Sequence, residues 1–128
     1  MDPTILVVED DPLLREVIAE VLSDEGFTVH EAADGQRALE EIESDTPDLV
    51  LSDMSMPRLG GRELAEQLSL RADPVPIVLM SAASNAPPDS RAMFLAKPFT
   101  IDELLAVVAR VLIERPQPSF GAPIPARS

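Results

Sequence analysis

The sequence predicts an α/β protein: a doubly wound, five-stranded parallel sheet. Three observations carry this. Short, continuous apolar runs recur along the chain, helical stripes alternate with them, and the composition supplies enough apolar residues for one core. At 128 residues with 45% apolar and 26% charged content, the chain is sized for one ordinary domain and is not biased toward disorder.

Four runs, Ile5–Val8, Leu49–Leu51, Ile77–Met80 and Met93–Leu95, are as short and uninterrupted as strands buried on both faces. A fifth segment, Phe27–Ala32, alternates apolar and polar residues as a half-exposed edge strand does. Between the first two strands, Leu13, Leu14, Val17, Ile18, Val21 and Leu22 form a stripe at helical spacing. Asp11 stands as its N-cap, Pro12 at its first position and Gly26 beyond its end. Asp34 is placed to cap a second helix through Ala38, Leu39 and Ile42, and a third is expected from about Gly61 to Leu70. In the last helix, Thr100 and Glu103 spell a capping box, with Leu104, Val107, Val108, Val111 and Leu112 as the buried face. Strand and helix alternate throughout, which implies right-handed crossovers and a sheet covered on both sides.

One link departs from this pattern. The adjacent Pro87 and Pro88 cannot sit inside a helix, so the fourth helix is expected to be shortened or missing. The folded unit is expected over 1–114. Residues 115–128, with four prolines and almost no apolar periodicity, read as a Pro-rich flexible tail.

Composition also excludes. A net charge of -13 repels nucleic-acid and anionic lipid phosphates, so neither nucleic acid nor membrane is an expected direct partner. No cysteine is present, which removes disulfides and thiolate metal sites. The start of the chain lacks a leader-like succession and no apolar run approaches about 20 residues, so a cytoplasmic location is the expectation.

In open parallel sheets ligands collect at the carboxyl ends of the strands. Four of these ends carry oxygen ligands or an amine: Glu9, Asp10 and Asp11 after the first strand, Asp53 after the third, Ser81 after the fourth, and Lys97 with Pro98 after the fifth. Converging carboxylates repel unless a cation or proton intervenes, and an all-oxygen cluster suits Mg²⁺. A carboxylate is a competent nucleophile for phosphoryl transfer, and Asp53 is the candidate. Such transfer also needs a cation and a hydroxyl aimed at the phosphoryl oxygens, roles that Lys97 and Ser81 fit. Lys97 is the only lysine in a chain with nine arginines, and a compact ammonium meets phosphate as a point charge.

These residues resemble the receiver domains of bacterial two-component response regulators. The matching segments are Ile5-Leu6-Val7-Val8-Glu9-Asp10-Asp11-Pro12, then Asp48-Leu49-Val50-Leu51-Ser52-Asp53-Met54-Ser55-Met56-Pro57, then Met80-Ser81-Ala82, then Phe94-Leu95-Ala96-Lys97-Pro98-Phe99. The resemblance covers about residues 4–114 and implies a flavodoxin-like strand order, 2-1-3-4-5. It implies a signalling phosphoacceptor rather than an enzyme, one that promotes its own phosphorylation and dephosphorylation within a phosphorelay. By resemblance Asp53 is the phosphoacceptor, and Asp10, Asp53 and the Ser55 backbone carbonyl bind Mg²⁺, with Glu9 assisting through water. Ser81 and Lys97 contact the phosphoryl group, Phe94 is the aromatic switch residue acting with Ser81, and Lys97-Pro98 is a cis peptide. The implied partners are a histidine kinase or a histidine phosphotransfer domain, with a downstream protein target. The departure in the fourth helix puts dimerisation through that face in doubt, leaving a monomer or weak dimer.

Plainer readings stand beside these. Glu9, Asp10 and Asp11 suit a helix-capping acidic cluster, Asp53 a turn ahead of Pro57, Ser81 a strand-end hydroxyl and Phe94 a core position. His30 has no matching ligands at metal spacing and reads as structural or exposed. Two rival functions remain open. One is a phosphorylation-independent interaction module that keeps the receiver fold for its surfaces. The other is a haloacid-dehalogenase-type phosphatase, whose Asp-x-Asp after the first strand is absent because Glu9 holds the first place.

Overall fold

The computed structural model describes residues 2–56, 58–82 and 93–114. In chain order the elements are β1 (Thr4–Val8), α1 (Pro12–Asp24), β2 (Thr28–Ala32), α2 (Gly35–Ser44), β3 (Leu49–Asp53), α3 (Gly61–Ser69), β4 (Ile77–Ala82), β5 (Met93–Lys97) and α4 (Ile101–Glu114). The strands form one parallel sheet in the order β2-β1-β3-β4-β5, as expected. Among the described residues there are four helices, and none lies between β4 and β5. The stretch on which the expectation of a shortened or missing helix falls, 83–92, lies outside the described residues, as does the expected tail at 115–128.

Period-two alternation sorts the apolar runs onto two faces. Ile5, Val7, Leu49, Leu51, Val78, Met80 and Leu95 turn to one side, where Ile18 and Leu22 of α1 and Leu104, Val108 and Val111 of α4 cover them. Leu6, Val8, Val50, Ile77 and Leu79 turn to the other, under Ala38 and Ile42 of α2 and Leu64 and Leu68 of α3. Because both faces are covered, the central strands tolerate no polar alternation, which is why they read as solid apolar runs. β2 is the exception, an edge strand with Thr28, His30 and Glu31 exposed.

The local signals act as their chemistry dictates. The Asp11 carboxylate accepts from the Leu13 amide at 3.0 Å and caps α1, which opens at Pro12. Gly26 takes φ +100 beyond the end of that helix, where a side chain would be strained. Thr100 Oγ1 accepts from the Glu103 amide at 3.0 Å while Glu103 Oε1 accepts from the Thr100 amide at 2.9 Å, completing the box that starts α4.

Candidate functional site at the carboxyl ends of the strands

Parallel pairing brings the strand ends level with one another. Val8 stands opposite Ser52 and Ala32, Asp53 opposite Met80, and Ala82 opposite Lys97. Glu9, Asp53, Ser81 and Lys97, each one or two residues past an apolar run, therefore arrive at the same rim. Glu9 and Asp53 are buried there, with 2% and 8% exposure, whereas Asp10 is exposed.

Lys97 joins the acids. Its Nζ donates to Asp53 Oδ1 at 2.6 Å and to Glu9 Oε1 at 3.4 Å, across 44 and 88 residues of sequence. The other Glu9 oxygen, Oε2, accepts from the Asp11 backbone N–H at 3.1 Å. One carboxylate oxygen each from Glu9, Asp10 and Asp53 lies within 4.8 Å of the others. Lys97-Pro98 is cis, as the resemblance implies.

The electrostatics follow from this crowding. Burial pushes the Glu9 carboxyl above its ordinary range, against the Asp11 amide that stabilises the charged form. The Asp53 carboxylate pushes it further up and Lys97 pulls it back. For Lys97, burial on its own lowers the affinity for a proton, but the hydrogen bond and charge of Asp53, followed by those of Glu9, outweigh it and leave the ammonium held above its ordinary range. Three carboxylates against one ammonium leave negative charge in excess. The donor set is all oxygen and partly open to water, which fits a hard divalent cation such as Mg²⁺.

The remaining candidates take defined places. Ser81 is buried at the carboxyl end of β4, one residue past the Met80 that faces Asp53. Ser55 is exposed in the β3–α3 loop that begins beside Asp53, and the loop is tied back by Met54 N–H donating to Met80 O at 2.9 Å. Phe94 faces Leu79 in the β4–β5 ladder and is half-buried against the core on the α2–α3 side. His30 is exposed on β2, away from the acids.

Two residues at the site are not signalled by the acid and lysine pattern. A Cβ added to Gly61 would collide with the Asp53 carbonyl oxygen and come within 2.8 Å of Leu79 Cδ2, so the start of α3 packs directly on the backbone of Asp53. The consecutive Gly60 and Gly61 are the one hint of this close approach. Arg15 donates from Nη1 to the Glu9 carbonyl at 2.8 Å, and nothing in its spacing distinguishes it from any polar residue of α1.

A family model described as the response regulator receiver domain matches residues 5–109. The response regulator MprA of Mycolicibacterium vanbaalenii is 40% identical over 95% of this chain, which spans 55% of that protein's length. The chain thus spans about half the length of such relatives. Among solved structures, the chemotaxis protein CheY4 of Vibrio cholerae superposes with a TM-score of 0.79 at 26% identity, covering 87% of this chain and 99% of that one. The receiver domain of the sensor histidine kinase PA1611 from Pseudomonas aeruginosa, a structure with a magnesium ion coordinated in its active-site cleft, gives 0.79 at 28% identity, covering 88% of this chain and 98% of that one. With the parallel 2-1-3-4-5 sheet and the acid rim on which Lys97 closes, these matches mean that the chain belongs to the response regulator receiver domain family.

Proposed function

We propose that this receiver domain accepts a phosphoryl group on Asp53 from a phosphohistidine of a histidine kinase or a histidine phosphotransfer domain. The observation that carries the reading is Lys97 Nζ at 2.6 Å from Asp53 Oδ1, inside a rim that also gathers Glu9 and Asp10. In the transfer an Asp53 oxygen attacks phosphorus, the new P–O bond forms as the P–N bond breaks, and the imidazole leaves with the bonding pair. Phosphoryl transfer asks mainly for positioning and charge neutralisation, and the parallel register presents those groups together. Lys97 offsets charge on the transferred oxygens, and the Ser81 hydroxyl is assigned to hydrogen-bond one of them. Asp10, Asp53 and the Ser55 carbonyl are the residues assigned to hold Mg²⁺, with Glu9 acting through water; the ion supplies charge neutralisation when bound.

The phosphoryl group draws Ser81 inward, and Phe94 repositions beside it to alter the outer face that a downstream protein target meets. Because Phe94 has no hydroxyl, its positions differ by packing alone. The resulting acyl phosphate is open to hydrolysis, which makes the mark reversible. The signalling unit is taken as residues 1–114, with 115–128 as a Pro-rich tail, acting in the cytoplasm as a monomer or weak dimer. No helix among the described residues is long and apolar enough to cross a membrane.

Incubation with Mg²⁺ and a small phosphodonor, followed by intact-mass measurement, tests the proposal. The native chain is expected to gain one phosphoryl group, and the gain disappears in Asp53→Ala or when a chelator removes the metal. No gain on the native chain, or an undiminished gain in Asp53→Ala, overturns it.

A further inference from the structure

The rim acids have a support outside the site itself. Arg15 lies one turn into α1 with its side chain only 20% exposed. It reaches across the β1–α1 loop, Nη1 donating to the Glu9 carbonyl at 2.8 Å and Nε pairing with Glu31 Oε1 on β2 at 3.2 Å. The Glu9 amide is fixed from the same side, donating to Ala32 O at 3.1 Å. Both ends of the Glu9 backbone are thus tied to β2 and its surroundings, and the next residue, Asp10, projects its carboxylate to within 4.8 Å of the Glu9 and Asp53 oxygens. Asp10 is itself exposed, so burial does little to hold it there. A guanidinium with a rigid fork, clamped between a backbone carbonyl and a carboxylate, supplies that restraint.

We propose that Arg15 is a positioning residue for the metal site, holding the Glu9–Asp10 peptide in the orientation that aims Asp10 at Asp53. The inference rests on the reading of that rim as a Mg²⁺ site. Arg15 acts through the Glu9 carbonyl and Glu31, not on the ion or the phosphoryl group itself. Arg58 lines, together with Arg15, Glu31 and Asp34, a cleft of about 450 Å³ beside the rim acids' loop, and serves as the comparison: its side chain is 66% exposed and its guanidinium stands 3.6 Å from Asp34, a pairing too long and too wet to restrain a loop.

The test titrates MgCl₂ into the native chain, Arg15→Met, Arg15→Lys, Glu31→Gln and Arg58→Ala, following backbone amide shifts. Thermal midpoints are read separately in chelator. Arg15→Met is chosen because it keeps an aliphatic stem while losing the fork. Mg²⁺ affinity is expected to fall about 10-fold in Arg15→Met, as when outer supports of metal ligands are removed. Arg15→Lys restores part of the affinity through a single donor to the Glu9 carbonyl. Glu31→Gln, which loosens the far end of the clamp, weakens binding less than Arg15→Met, and Arg58→Ala binds as the native chain does. A lowered midpoint with native Mg²⁺ affinity in Arg15→Met overturns the proposal and leaves Arg15 a purely structural contact. If Arg15→Met does not fold, native affinity in both Arg15→Lys and Glu31→Gln overturns it equally. A native chain that shows no Mg²⁺-dependent shifts overturns the metal-site reading itself, and the positioning role with it.

Discussion

The centre of each strand and its carboxyl end are built on opposite terms. In β3, Leu49, Val50 and Leu51 are fully buried and need nothing but neighbours to touch, whereas two residues on, Asp53 is nearly as enclosed and is an acid. Apolar burial stabilises in proportion to the area removed from water, at roughly 25 cal/mol per Å². Burying a carboxylate costs free energy unless a partner offsets it, and at this rim a single ammonium serves Asp53 and Glu9 both. The contrast teaches that the rim gives up some of the stability the strand centres provide, which is the arrangement the proposed phosphoacceptor site calls for.

The largest expected effect breaks the centre alone. Leu49→Ala should cost about 2–5 kcal/mol in urea unfolding, because the cavity it leaves is enclosed on all sides. Phosphoryl acceptance by the protein that remains folded should be unchanged. A selective loss of acceptance without loss of stability would show that centre and rim are not separable.

Next in size is the junction between the two regions. Gly61→Ala pushes a methyl group into the Asp53 carbonyl and Leu79, and should destabilise by about 1–3 kcal/mol as overpacking does. Unlike Leu49→Ala it should also impair acceptance, since the displaced atom belongs to Asp53, the proposed phosphoacceptor. Unfolding curves read beside intact-mass kinetics separate the two effects, and native kinetics in Gly61→Ala would refute the coupling.

Thr100→Ala removes a helix cap beyond the rim. A loss of about 1 kcal/mol is expected, with phosphorylation rates unaltered. A loss of phosphorylation there would place α4's first turn within the site.

The smallest change should have the opposite sign. Glu9 is more easily protonated in the folded chain than in the unfolded one, so its favourable contribution is complete below its ordinary value of 4.5 and is lost as pH rises through the raised folded value. Near neutrality the ionised side chain is a cost. Glu9→Gln should therefore raise the thermal midpoint in metal-free buffer near neutrality, and the gain should vanish below pH 4.5. Weaker Mg²⁺ binding should accompany the gain. A lower midpoint near neutrality would mean that the Lys97 and Asp11 contacts outweigh desolvation.

How far the sequence carries depends on the same division. The strand centres were readable because burial on both faces forbids polar interruption, and the helix ends because Asp11, Pro12, Thr100 and Glu103 act through bonds no more than a few residues long. The site was readable to the extent that Glu9, Asp53 and Lys97 each sit just past an apolar run, where parallel register must deliver them together. What could not be read depends on contacts between elements. Arg15 finds the Glu9 carbonyl only because α1 folds back along β1, and Gly61 matters only because α3 lands on Asp53. Neither leaves a periodic trace in the chain.

The most direct measurement of the rim's chemistry is an amide-resolved titration with beryllofluoride, a phosphoryl mimic, in the presence and absence of Mg²⁺. Saturable shifts at Asp53, Ser81, Phe94 and Lys97 that require Mg²⁺ and vanish in Asp53→Ala are the predicted result. Amide spectra that do not change, or that change identically without the metal or without the Asp53 carboxylate, would contradict a phosphoacceptor at this rim.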